Sequence, residues 1–156
     1  KKTEELPVAR DISNFAKWSV SSQKPGEEFS IDSMRSTNKE LFWQSDGPQP
    51  HFIDLTFPRK MTVKHVAIYF DHKNDESYTP KEISFQAGND PDDLQEVNAM
   101  DLSEPQGWRT VDLFHTDSQT IPLRTRFLRV KIVSNHQNGK DTHVREMRVY
   151  GPKEYV

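Results

Sequence analysis

The chain has 156 residues, 33% hydrophobic and 10% aromatic, with a formal net charge of −3 and no cysteine. That length fits one domain with a sizeable core, and the missing thiols exclude a disulfide scaffold, thiol catalysis and cysteine-ligated metal. The slight acidity excludes the basic field that attracts nucleic acid or anionic lipid. No apolar run approaches the roughly 20 residues of a membrane span, the N-terminus does not read as a signal peptide, and no Asn-x-Ser/Thr acceptor occurs. Together these favour an intracellular protein.

Taken in order, residues 1–10 read as a polar, loosely held lead-in. Residues 18–22 alternate as a first short strand, closed by Lys24, Pro25 and Gly26. Residues 29–35 predict one or two helical turns, with Ser30 as N-cap and Asp32 near the positive end. Trp43, flanked by Leu41 and Phe42, reads as a core plug. Residues 51–57 alternate Ile53, Leu55 and Phe57 and stop at Pro58. Residues 63–70 follow after a short connection and are expected to lie beside them. Residues 81–88 turn Ile83, Phe85 and Ala87 inward, and residues 94–100 and 108–113 add two more strands. Residues 126–133, with Phe127, Leu128, Val130, Ile132 and Val133, and residues 144–150, with Val144, Met147 and Val149, are expected to form a hairpin-like unit around Asn138-Gly139. Seven or eight strands, few helical periods and no repeat predict an all-β fold, an antiparallel β-sandwich of jelly-roll type.

Two connections stand out. Hairpin loops need about two to five residues, and the stretch 134–143 is nearly twice that. It is built of Asn, Gln, Lys, Asp, Thr and His, which are donors and acceptors without an apolar member. The stretch 71–80 has the same character; Pro80 stiffens its exit, and Tyr78 supplies a ring to pack and a hydroxyl to offer. Connections gather at the ends of a sandwich, so these two are candidates for one surface.

Enzymatic signals are poor. The histidines His51, His65, His72, His115, His136 and His143 are scattered, without a His-Glu-x-x-His or His-x-His spacing, and His51 and His65 read as structural or surface residues. Asp141 and His143 would point the same way on a strand and suggest part of a Ser/His/Asp set, yet no nucleophile elbow or oxyanion turn accompanies them. Gly-rich phosphate loops are absent, and the loops lack the Trp, Phe or Leu tips of a lipid-inserting module. Recognition remains. Short polar side chains can hydrogen-bond an extended peptide backbone at little entropic cost. With few aromatic anchors such a surface binds weakly alone and suits half of a two-part receptor. The rival class is a carbohydrate-binding or other ligand-binding module, which would need an aromatic platform from Tyr78 and Phe70.

Three motifs carry a resemblance: residues 43–47 (Trp-Gln-Ser-Asp-Gly), 75–80 (Asp-Glu-Ser-Tyr-Thr-Pro) and 135–143 (Asn-His-Gln-Asn-Gly-Lys-Asp-Thr-His). Gly107-Trp108 and Leu94-Gln95-Glu96 follow suit. Together they resemble the DOC domain over residues 18–151, and among its members the small stand-alone type found in the anaphase-promoting complex. The resemblance implies a galactose-binding-domain-like jelly roll. It also implies a non-catalytic subunit of a cell-cycle ubiquitin ligase of nucleus and cytoplasm, with other complex subunits as partners. By the same resemblance, the subunit is expected to act with a β-propeller co-activator as co-receptor for the destruction-box degron of substrates and to raise processivity. Carried over by motif, Ser77, Tyr78, Asn138, Asp141 and His143 are the degron-binding candidates: Ser77 and Asn138 bond its backbone, while Asp141 and His143 contact it or brace the loop. Gly139 is expected to permit the turn. No catalytic residue, metal ligand or cofactor is implied. Ser36-Thr37-Asn38 stand where relatives tend to be more acidic, which argues against a bound Ca²⁺. Family members usually continue into a tail that docks on a tetratricopeptide-repeat subunit. Residues 152–156 read as the start of such a tail.

Overall fold

The structure, a computed structural model, describes residues 3–153. Its strands are β1 (Arg10–Asp11), β2 (Lys17–Val20), β3 (Trp43–Gln44), β4 (His51–Val63), β5 (His65–Asp71), β6 (Pro80–Gly88), β7 (Leu94–Asp101), β8 (Gln106–Asp112), β9 (Leu123–Asn135), β10 (His143–Val144) and β11 (Glu146–Gly151). Two short helices, α1 (Ile31–Arg35) and α2 (His72–Asp75), complete it. A five-stranded sheet, in the order β2-β4-β9-β6-β7, faces a four-stranded sheet, β1-β11-β5-β8, and β3 pairs with β10 at one end. Every named pairing is antiparallel. The fold is the expected jelly-roll sandwich.

Alternation explains the core. Ile53 faces Val130, Leu55 faces Leu128, and Ile83 faces Ile132 across the ladders of the five-stranded sheet. All six side chains are at most 2% exposed, as are Trp43, Phe57, Phe85 and Ile68. Each buried side chain of this size contributes roughly 1.5–3 kcal/mol. Trp43 is the core plug its neighbours suggest, with its indole N–H donating to the Ser22 carbonyl at 3.0 Å. Ser30 occupies the N-cap position of α1 by backbone geometry, without a side-chain bond.

Four expectations fail, each for a physical reason. Pro58 does not stop β4: the register jumps from Thr56↔Phe127 to Met61↔Thr125, and Pro58 sits in that bulge, where no ladder N–H is needed. Strands β4 and β5 are not neighbours but lie in opposite sheets. Residues 126–133 and 144–150 form no hairpin, because β9 pairs with β4 and β6 while β11 pairs with β5 and β1. Nor is the described part of the lead-in, residues 3–10, loose; residues 1 and 2 lie outside the described residues. The Glu4 N–H donates to the Trp108 carbonyl at 2.9 Å, and Thr3 Oγ1 accepts from the Trp108 N–H at 2.6 Å. Ala9 then packs on the outer cluster of Ala67, Trp108 and Tyr150. Of the expected tail, residues 154–156 lie outside the described residues.

Candidate functional site

The two polar connections meet at one end of the sandwich. The first leaves β5, forms α2 and a tight turn at Glu76–Tyr78, and enters β6; the second leaves β9 through a turn at His136–Asn138 and enters β10. The His136 N–H donates to the Thr79 carbonyl at 2.8 Å, and the Thr142 hydroxyl donates to the Tyr78 carbonyl at 3.3 Å. The His136 ring joins in: Nδ1 lies 3.1 Å from the Thr79 carbonyl, and Nε2 accepts from the Glu104 N–H at 3.0 Å.

Gly139 is where the loops touch. A Cβ there would stand 1.8 Å from the Ser77 carbonyl oxygen, a backbone atom that cannot swing aside. Its φ of −62° is open to any residue, so close approach, and not the turn, requires glycine. The left-handed positions are Gln137 and Asn138, each with φ of 55°. Glu76, φ 49°, is a third, so three of the four non-glycine residues with positive φ among the described residues lie in these loops. Such conformations cost about 1–3 kcal/mol each and cluster at functional surfaces.

Beneath the exposed turns lies a polar clasp. The Asp75 side chain, 4% exposed, accepts from Arg145 Nη2 at 2.7 Å and Nε at 3.0 Å, and stands 2.8 Å from His143 Nδ1. The other ring nitrogen of His143 is 2.9 Å from Gln44 Oε1. Its ring is stacked between Tyr78, at 4.2 Å, and Phe42, at 3.8 Å. Arg145 also donates to the Lys39 carbonyl at 2.6 Å. Burial pushes the Asp75 carboxyl up, but hydrogen bonds from His143 and Arg145 outweigh it, and the net shift is downward. The hydrogen bond to Asp75 raises Arg145 in turn.

A second brace holds Asp141. Its carboxylate accepts from the buried Ser45 hydroxyl at 2.9 Å, and that same Ser45 oxygen accepts from the Thr142 N–H at 2.9 Å. His51, fully buried, places Nε2 2.6 Å from the Lys140 carbonyl. Asp141 and His143 are therefore not paired: one is tied to Ser45, the other to Asp75 and Gln44. Both side chains therefore hold internal partners that brace the loops.

Sequence reading thus placed Ser77, Tyr78, Asn138, Asp141 and His143 in one region, and the structure brings them together. Tyr78 and Asn138 are exposed and Ser77 half-buried; among the described residues their hydroxyls and side-chain amide have no hydrogen-bond partner. The exposed Gln137, beside Asn138, shares this surface and was not among the motif candidates. Asp75, Arg145, Gln44 and Phe42 were missed as well. Their only signal is charge and ring chemistry scattered over separations of 70 and 99 residues. Phe70, offered as half of a sugar platform, is 2% exposed, and one face of the Tyr78 ring is covered by His143.

Solved structures similar to this fold include the family 32 CBM from C. perfringens NanJ in complex with galactose, with a TM-score of 0.71 at 12% identity, covering 91% of this chain and 98% of that one. Another is chitosan-binding module 1 from a Paenibacillus chitosanase/glucanase, with a TM-score of 0.69 at 17% identity, covering 91% and 99%. At such identities these likenesses establish the galactose-binding-like jelly roll. In sequence, the chain is 47% identical over 154 residues to the anaphase-promoting complex subunit 10 of Bos taurus, covering 99% of this chain and 81% of that protein. It is 41% identical to the Drosophila melanogaster subunit 10, covering 97% and 75%, and 35% identical to Saccharomyces cerevisiae subunit DOC1, covering 91% and 56%. The family model for anaphase-promoting complex, subunit 10 (APC10) matches residues 1–156. With the three motifs spread over strands, turns and core of one fold, the chain belongs to the anaphase-promoting complex subunit 10 family.

Proposed function

We propose that this chain is a non-catalytic subunit of the anaphase-promoting complex ubiquitin ligase, working in nucleus and cytoplasm. In this reading it acts with a β-propeller co-activator as co-receptor for the destruction-box degron and so raises processivity. The observation that carries it is the interlocking of the two polar loops into one exposed, backbone-strained surface. The Ser77 hydroxyl and the Asn138 amide bond the main chain of the extended degron, and Tyr78 adds its hydroxyl and ring edge. Asp141 and His143 hold those groups in place from beneath. The propeller takes the Arg and Leu anchors and the loops take the polar residues that follow. Main-chain bonds without an apolar anchor give low affinity alone, and tethering to the propeller raises the effective concentration.

The test is ubiquitination by complex in which this chain replaces the resident DOC subunit, with a destruction-box substrate and the matching co-activator. Ser77→Ala is combined with Asn138→Gly, because glycine keeps the left-handed turn that alanine would strain. Wild type restores processive modification, and the double variant assembles but does not. Equal restoration by both would move the site off these loops.

A further inference from the structure

The outer face of the five-stranded sheet, next to the loops, carries a shallow open depression of 340 Å³. Val133 and Ala99 form its apolar part, and Glu82, Glu96 and Asp101 line it with carboxylates. Val133 is 42% exposed because the ladder slips here: Glu82 faces Ser134 and Ile83 faces Ile132, leaving Val133 opposite no β6 residue. Register ties the depression to the loops. Asn135 pairs with Pro80 where the two connections begin, and Val133 and Glu82 lie two residues below, about 7 Å along the strands.

The charges are uneven. Glu82 accepts from the Ser134 hydroxyl at 2.8 Å and Glu96 from the Ser84 hydroxyl at 2.6 Å, so neither carboxylate is neutralised. Among the described residues Asp101 pairs with Lys81, at 3.7 Å, and both side chains of that pair are substantially exposed. Lys131 shares the outer face across from Ser84 but does not line the depression. Apolar contact beneath a rim of carboxylates suits a side chain with a methylene stem and a cationic head.

We propose that this depression is a subsite for a lysine or arginine that follows the degron segment held by the loops. The inference rests on the co-receptor reading and extends it along the sheet. An extended chain rises about 3.3 Å per residue, so the basic residue falls roughly two to four positions beyond that segment.

The probe is a set of destruction-box peptides with a single lysine moved through the residues that follow the box, each matched by a glutamine peptide. Binding is measured to the assembled complex with co-activator, with and without this subunit. One lysine position gains about two- to five-fold over glutamine, the range of an exposed charge pair, and the gain fades at high salt. Glu82→Gln/Glu96→Gln removes that gain and leaves the glutamine peptide unchanged; both positions are exposed, so the fold is kept. A subunit that strengthens lysine and glutamine peptides equally at every position overturns the subsite alone. So does a gain that survives in the double variant. A subunit that strengthens neither overturns the co-receptor reading and the subsite with it.

Discussion

Asp75→Asn takes one charge out of a clasp that joins three separate stretches of chain. Asparagine keeps the shape and one acceptor, but Arg145, whose side chain is 9% exposed, loses its buried counter-charge. Breaking a buried pair from one side costs about 3–5 kcal/mol. Arg145 retains the Lys39 carbonyl at 2.6 Å and Asp71 at 4.0 Å, so the lower end applies, about 3 kcal/mol. For a domain of this size that corresponds to a fall in Tm of about 6–12 °C. Urea unfolding followed by circular dichroism reads the loss, and hydrogen exchange should locate the first opening in residues 72–79 and 136–143. Asp75→Asn/Arg145→Met removes both charges and should recover at least about 1 kcal/mol relative to Asp75→Asn. A loss below about 1 kcal/mol in the single variant, or strict additivity in the double, would refute the clasp.

Gly139→Ala fits the local φ but drives a methyl into the Ser77 carbonyl. It should destabilise by about 1–3 kcal/mol and shift the backbone resonances of Ser77 and Tyr78; a neutral result would mean the loops separate freely. Acid should act through Asp11, Asp71 and Asp75, all held below the usual carboxylate range. Their folded-state pKa values lie below the unfolded ones, so the stability they contribute is present above about pH 4 and is lost as pH falls through the folded values. Thermal scans should be flat in this respect above about pH 5 and steepen below about pH 4, with a shallower slope in Asp75→Asn.

Strands read best where packing sets the period. Ile83, Phe85 and Ala87 alternate because one face of β6 meets the core, and the same holds for Ile53, Leu55 and Phe57. Alternation says nothing about which strand lies alongside, so the chain on either side of the 136–142 loop was misread as one hairpin although it belongs to opposite sheets. The loops were visible by their length and polarity. Their division of labour was not: nothing in the 75–80 motif marks Asp75 as buried, and only its contact with Arg145, 70 residues away, reveals it as a support. The glycine in Asn138-Gly139 was legible as special, but its cause, a neighbouring carbonyl from another loop, exists only after folding.

The 71–80 loop bridges from the four-stranded to the five-stranded sheet, and the 134–143 loop leads from the five-stranded sheet to the β3–β10 pair at the same end. A polypeptide held between them and drawn away from the sandwich therefore loads the ends of β5, β6, β9 and β10, with the pull directed along the strands. Force in that direction shears many ladder hydrogen bonds at once, whereas a hairpin tip peels them apart singly. In the co-receptor reading, this end of the sandwich would act as a mooring point, keeping hold of a chain under tension while the two sheets stay closed.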